Sequence, residues 1–283
     1  MNALRFGALC AAAGVVAACS KDAGPTTPGT VPLAYTRFVD AVPDSGAMDW
    51  RFVDVIDNSP SIAGLNFRQT FPGATYQATG AGPRHLRIFQ TSTDISQTQR
   101  VLFDTTYNFT QGTHYTLIAA GNLRSGSSSP AKLYIIEDDF TDPGSSFSIR
   151  ALNAGIAPAA DVYAVSDTSS KVTLPSSPLL AAVGAFTASS YKTMATGPLA
   201  LRVTPSASTS VLVNLFVPAG LPADRTNNLT AVGGTTQAGS ALSAIFFPAA
   251  VRGSLAGSSA ACVNSCSTPG VVYIVDRYPP SGF

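Results

Sequence analysis

Thr75-Tyr76-Gln77-Ala78-Thr79-Gly80-Ala81-Gly82-Pro83-Arg84-His85-Leu86-Arg87-Ile88 decides the fold, because the chain writes the same frame again as Ser190-Tyr191-Lys192-Thr193-Met194-Ala195-Thr196-Gly197-Pro198-Leu199-Ala200-Leu201-Arg202-Val203. Tyr76 and Tyr191, then Gly-Pro, then Leu-Arg-aliphatic recur at a constant offset of 115 residues. Upstream, Arg37-Phe38-Val39-Asp40-Ala41 leads to Met48-Asp49-Trp50, as Arg150-Ala151-Leu152-Asn153-Ala154 leads to Ala160-Asp161-Val162-Tyr163. Downstream, Tyr115-Thr116-Leu117-Ile118-Ala119-Ala120-Gly121 aligns with Leu229-Thr230-Ala231-Val232-Gly233-Gly234. Leu133-Tyr134-Ile135-Ile136-Glu137-Asp138 aligns with Val272-Tyr273-Ile274-Val275-Asp276-Arg277. A repeat this long exceeds a solenoid unit and suits two complete domains, 34–143 and 144–283. The second carries an extra stretch near 239–269, before its last strand.

The repeat blocks are short, β-branched or aromatic, and bounded by Gly, Pro, Ser and Thr, which is the pattern of strands and turns. Gly-Pro ahead of Leu86 and of Leu201 supplies a turn and a fixed φ. One Glu and four Lys stand against thirteen Arg and fifteen Asp, so the better helix formers are scarce. The expectation is all-β, with antiparallel β-sandwiches. Pro178 to Phe186 fits either a short helix or a buried strand.

At the N-terminus, Arg5 precedes an apolar run that ends in Val16-Ala17-Ala18-Cys19-Ser20. A charged start, a short apolar core and small residues before a cut site describe a secretory signal over 1–18. The run is too short to span a bilayer as a helix, which takes about 20 apolar residues. Val16-Ala17-Ala18-Cys19 resembles a bacterial lipobox, with Cys19 as the lipidated residue. Residues 19–33 read as the lipidated cysteine and a flexible Pro-, Gly- and Thr-rich tether. Membrane attachment through that lipid, and an outer-membrane address on the cell surface or the periplasmic face, are the expectations. Without the signal the chain is electrically neutral, which argues against nucleic acid as a partner.

Cys262 and Cys266 remain for a disulfide in an oxidising compartment. Extended, their Cα atoms would stand about 13 Å apart, so bridging requires Asn264-Ser265 to turn the chain back.

Arg37-Phe38-Val39-Asp40-Ala41-Val42-Pro43-Asp44, with Ala47-Met48-Asp49-Trp50, the Gly-Pro-x-x-Leu-Arg-aliphatic frame and Tyr115-Thr116-Leu117-Ile118-Ala119-Ala120-Gly121, resembles the bacterial domain of unknown function 4397. The resemblance covers roughly 35–275 and is weaker in the second copy, where Asn153-Ala154-Gly155-Ile156-Ala157-Pro158 lacks Ser-Pro-Asp. It implies tandem immunoglobulin-like sandwiches in the envelope, and it implies no activity.

Chemistry is sparse. The two histidines, His85 and His114, have no ligand partner at metal spacing. Ser189-Ser190-Tyr191-Lys192 and Ser129-Pro130-Ala131-Lys132 lack the companion motifs of Ser-x-x-Lys enzymes. Glu137, Asp138, Asp139 and Asp142 form a weak calcium candidate at the junction of the copies. Asp49 and Asp161 are expected to serve as structural hydrogen-bond acceptors, and Tyr76/Tyr191 and Arg87/Arg202 as repeat-equivalent structural residues. Trp50, Tyr76, Tyr107 and Tyr115 are candidates for stacking on sugars, although in a domain of this size such residues are more often core. No cofactor is implied. The expected role is non-catalytic binding or adhesion toward glycan or envelope protein. A structural envelope component is the alternative, and a hydrolase ranks below both.

Overall fold

Leu33-Ala34-Tyr35-Thr36-Arg37-Phe38-Val39-Asp40-Ala41 shows no alternation of polar and apolar residues, and neither does Ala241-Leu242-Ser243-Ala244-Ile245-Phe246-Phe247. Strands with such sequences bury both faces. The computed structural model, which describes residues 31–54, 62–73 and 75–280, shows what covers them. The proposed signal, Cys19 and almost all of the tether lie outside the described residues.

The first half contains β1 (Leu33–Ala41), β2 (Met48–Phe52), β3 (Ile62–Leu65), β4 (Thr70–Phe71), β5 (Gln77–Gly80), β6 (Gly82–Gln90), β7 (Val101–Phe109), β8 (His114–Ala120) and β9 (Lys132–Glu137). The second contains β10 (Phe147–Asn153), β11 (Ala159–Val165), β12 (Leu180–Gly184), β13 (Lys192–Met194), β14 (Ala200–Pro205), β15 (Val213–Phe216), β16 (Ala241–Phe247) and β17 (Gly270–Arg277). Within the Pro178–Phe186 stretch, Leu180–Gly184 is a strand, of which only Val183 is buried.

Each half is a pair of sheets. In the first, β4-β1-β8-β9 (with β5 also on β1) faces β3-β2-β6-β7. Between them lie Phe38, Trp50, Phe52, Leu86, Ile88, Phe109, Tyr115 and Leu117. In the second, β13-β10-β16-β17 faces β12-β11-β14-β15 over Phe147, Ile149, Val162, Leu201, Val203, Leu242 and Phe246. Most pairings are antiparallel. One in each half is parallel, β1 with β8 and β10 with β16.

A third core joins the halves. Val39, Ala41 and Ile118 from the first pack with Leu152, Ile245, Phe247 and Ile274 from the second. Side chains alternate across a strand, so Phe246 enters the second core and its neighbours Ile245 and Phe247 enter the third. Pro32 to the C-terminus forms one compact unit.

Register revises the sequence alignment in two places. Thr116 lies beside Arg37 and Ser243 beside Arg150, so the counterpart of β8 is β16, not Leu229–Gly234. The stretch near 239–269 is thus no single insertion: β16 runs through it, and the extra chain lies before and after that strand. Ile136 pairs with Thr116 and Ile274 with Ser243, which makes Asp138 the counterpart of Asp276. The alignment of Glu137 with Asp276 was one residue out. The Cys262–Cys266 disulfide is formed, with Cα atoms 4.8 Å apart, and Asn264 takes a left-handed φ of 51° between them.

Candidate functional site

The largest concentration of buried charge lies in the seam between the halves. Arg37 on β1 and Arg150 on β10 point into it, 1% and 2% exposed. Arg37 Nη2 donates to Asp276 at 2.6 Å and approaches Asp138 at 3.5 Å. Arg150 Nη2 donates to Asp138, and its Nε donates to Ser243 Oγ at 2.7 Å. Ser243 in turn donates to Asp276 at 2.7 Å, and Thr116 Oγ1 donates to Asp138. Each arginine thus reaches across to the aspartate of the other half. Tyr76 donates to Asp138 at 2.8 Å beneath the Arg37 guanidinium, and Tyr191 lies under Arg150.

The electrostatics follow from burial against pairing. Burial opposes ionisation of Asp138, but Arg150 and Arg37 outweigh it and hold the carboxyl below its usual range. Burial likewise opposes the charge on Arg37, and Asp276 with Asp138 outweighs it, so the guanidinium is held more firmly protonated than usual. Burial raises the phenols of Tyr76 and Tyr191, which stay neutral. His114, stacked on Tyr35, is lowered by burial, against the pull of Asp138. Asp138 and Asp276 come close enough to suggest a carboxylate pair, yet both side chains are wholly buried and held by arginine. A substrate has no path to them.

The calcium candidate does not assemble. Asp138 is committed to the seam, and Asp142 pairs with Arg277 at 2.6 Å. Among the described residues no group of three or more His, Cys, Asp or Glu side chains converges on a metal position.

Asp49 and Asp161 act on equivalent irregularities. Asp49 accepts the N–H of Gly64 at 2.8 Å, and Asp161 that of Ala182 at 2.7 Å. Both donors have positive φ and sit beside a register shift. The two arginines diverge: Arg87 binds Asp104 on the surface, whereas Arg202 donates to the carbonyls of Ser169 and Val172. His85 shares Asp104 at 2.6 Å. Ser189 accepts Ala151 N–H and donates to Ser190 O, a backbone-bracing role.

The stacking candidates are not on a face. Trp50 and Tyr115 are fully buried, Tyr107 packs on Phe109 and Tyr115, and Tyr76 belongs to the seam. Exposed apolar surface gathers instead on β15 and the hairpin after it, at Val211, Leu215, Phe216, Leu221, Leu229 and Val232. Leu221 and Val232 pair across that hairpin, as do Asp224 and Leu229, and β15 is an edge strand.

The seam was missed because its members lie up to 239 residues apart. Its signal was present in the two opening arginines and the two late aspartates, once their register is right.

No curated protein matches the chain. Residues 34–163 match the family model of DUF4397, a domain of unknown function, and the match runs from β1 through the first half and on to β11. That segment, a little under half of the chain, is what is similar to the DUF4397 family.

Proposed function

We propose that the chain is a lipid-anchored envelope protein that binds another protein through the edge hairpin of its second half. On this reading residues 1–18 are removed, Cys19 carries the lipid, and two immunoglobulin-like units stand off an outer membrane on the tether. The carrying observation is the apolar strip from Val211 to Val232, where Leu221 is 63% and Leu229 58% exposed. Contiguous exposed apolar surface marks a protein contact, and an edge strand offers unpaired backbone groups beside it. Protein is favoured over glycan because the strip is aliphatic apart from Phe216, while Trp50 and Tyr115 are fully buried.

The test places a photo-crosslinking residue at Leu229 in the full chain, in its own cells. A discrete crosslinked protein species is expected, and it should disappear in a Leu215→Ser, Phe216→Ser variant. Labelling that persists unchanged in that variant, or no protein adduct at all, overturns the reading. Release of a Cys19→Ala form from the membrane fraction is the matching expectation for the anchor.

A further inference from the structure

The two halves share most of their strands, and they differ in what covers the connection that follows the first strand of each. In the first half that connection is residues 42–47, and it is capped. The 248–269 segment folds over it: Val251 N–H and Ser254 Oγ both donate to the Pro43 carbonyl, at 2.7 and 3.0 Å. Leu255 lies so close over Gly46 that a Cβ there would sit 3.2 Å from its Cδ1. Ser259 donates to Phe67 O at 2.7 Å, and Ala256 and Cys266 complete the third core.

The second half has the matching connection at 154–158, and among the described residues no segment caps it in this way. Its counterpart of the 248–269 segment is the shorter 121–131 loop, of which Gly121, Asn122 and Ser129 line the space beside it. Gly155, Ile156 and Phe186 then wall an open cavity of about 490 Å³. No charged residue lines it, and Pro43, Pro248, Ala249 and Val251 also contribute to its wall. The volume is that of an ordinary binding site.

We propose that this cavity is a docking seat for an uncharged, apolar turn of a partner protein, the intermolecular counterpart of the cap that the chain makes for itself. The chain supplies the template: on the equivalent position of the first half, the occupant is a turn bearing Val251 and Leu255, tethered by its disulfide. The seat is distinct from the β15 hairpin and does not depend on it.

The probe is a synthetic peptide of residues 248–269 with Cys262 and Cys266 oxidised, titrated into the full folded chain and followed by fluorescence anisotropy. Saturable binding is expected, weakened at least tenfold by Ala157→Asp, which puts a charge into an uncharged wall. Ser129→Asp, on the exposed rim, should weaken it in the same direction without touching a core, and covers the case in which Ala157→Asp disturbs folding. No binding at millimolar peptide, or equal binding by wild type and both variants, overturns the proposal. So does an apolar dye that occupies the cavity and is not displaced by the peptide, since that identifies a small-molecule site.

Discussion

Asp40 and its counterpart Asn153 show what one atom changes in a buried turn. Asn153 accepts the N–H groups of Gly155 and Ile156 at 3.0 Å and donates to Ala157 O and Val183 O at 2.9 Å. Asp40 is fully buried and accepts Val42 N–H at 2.9 Å, while its second oxygen has no partner. Burial raises its pKa well above the ordinary range, against the opposing Val42 N–H. The native state therefore keeps a proton that the unfolded chain releases near pH 4, and stability falls as pH rises toward the folded value. Asp40→Asn should add about 1–3 kcal/mol at neutral pH, with a gain larger at pH 8 than at pH 5. Urea midpoints at the two pH values check this, and an equal gain at both would contradict it.

At the scale of elements, the bulges explain Asp49 and Asp161. A residue at positive φ turns its N–H toward the carboxylate, and glycine does this without steric cost. The first half uses Gly64 at φ 70°, whereas the second uses Ala182 at φ 48°. Relief of roughly 1–2 kcal/mol of left-handed strain exceeds the extra freedom glycine gives the unfolded chain, about 0.4–1 kcal/mol. Ala182→Gly should therefore raise the denaturant midpoint, and a lower midpoint would show that the bulge is relaxed as it stands.

Legibility divides at this scale. Strand identity was readable because Leu86–Ile88 and Leu201–Val203 carry their own turn signals. Register was not. Setting Glu137 against Asp276 moved every late side chain to the wrong face, because strand faces alternate with period two. That slip hid the Asp138–Asp276 equivalence and with it the seam. The placement of β16 failed for another reason: Ala241–Phe247 is apolar apart from Ser243, so no alternation marked it as a strand. Trp50 and Tyr115 lie in the core, the commoner place for aromatic residues in a domain of this size, although composition alone does not separate a core ring from a sugar platform.

At the scale of the molecule, the third core and the crossed arginines make the halves one cooperative body. Trp50, the one tryptophan of the chain, reports only the first half, whereas far-UV circular dichroism reports both. The two signals should share one unfolding transition. Asp276→Asn leaves Arg37 short of its nearest carboxylate and should cost about 3–5 kcal/mol. Asp138, with a lowered pKa, contributes stability that is present above the unfolded carboxylate value near pH 4 and is lost as pH falls through the folded one. Separate transitions for the two probes, or no loss in the variant, would refute the coupling.

The seam also sets an order of events. Chains are made from the amino end, and early segments fold or wait as later ones arrive. Arg37 sits in the first strand, and the carboxylate nearest to it sits in the last. Until Gly270–Arg277 emerges, the third core lacks Ile274 and Arg37 lacks its nearest carboxylate. A chain lacking β17 would leave Arg37 without its nearest carboxylate, so this strand works as a clasp between segments made far apart in time.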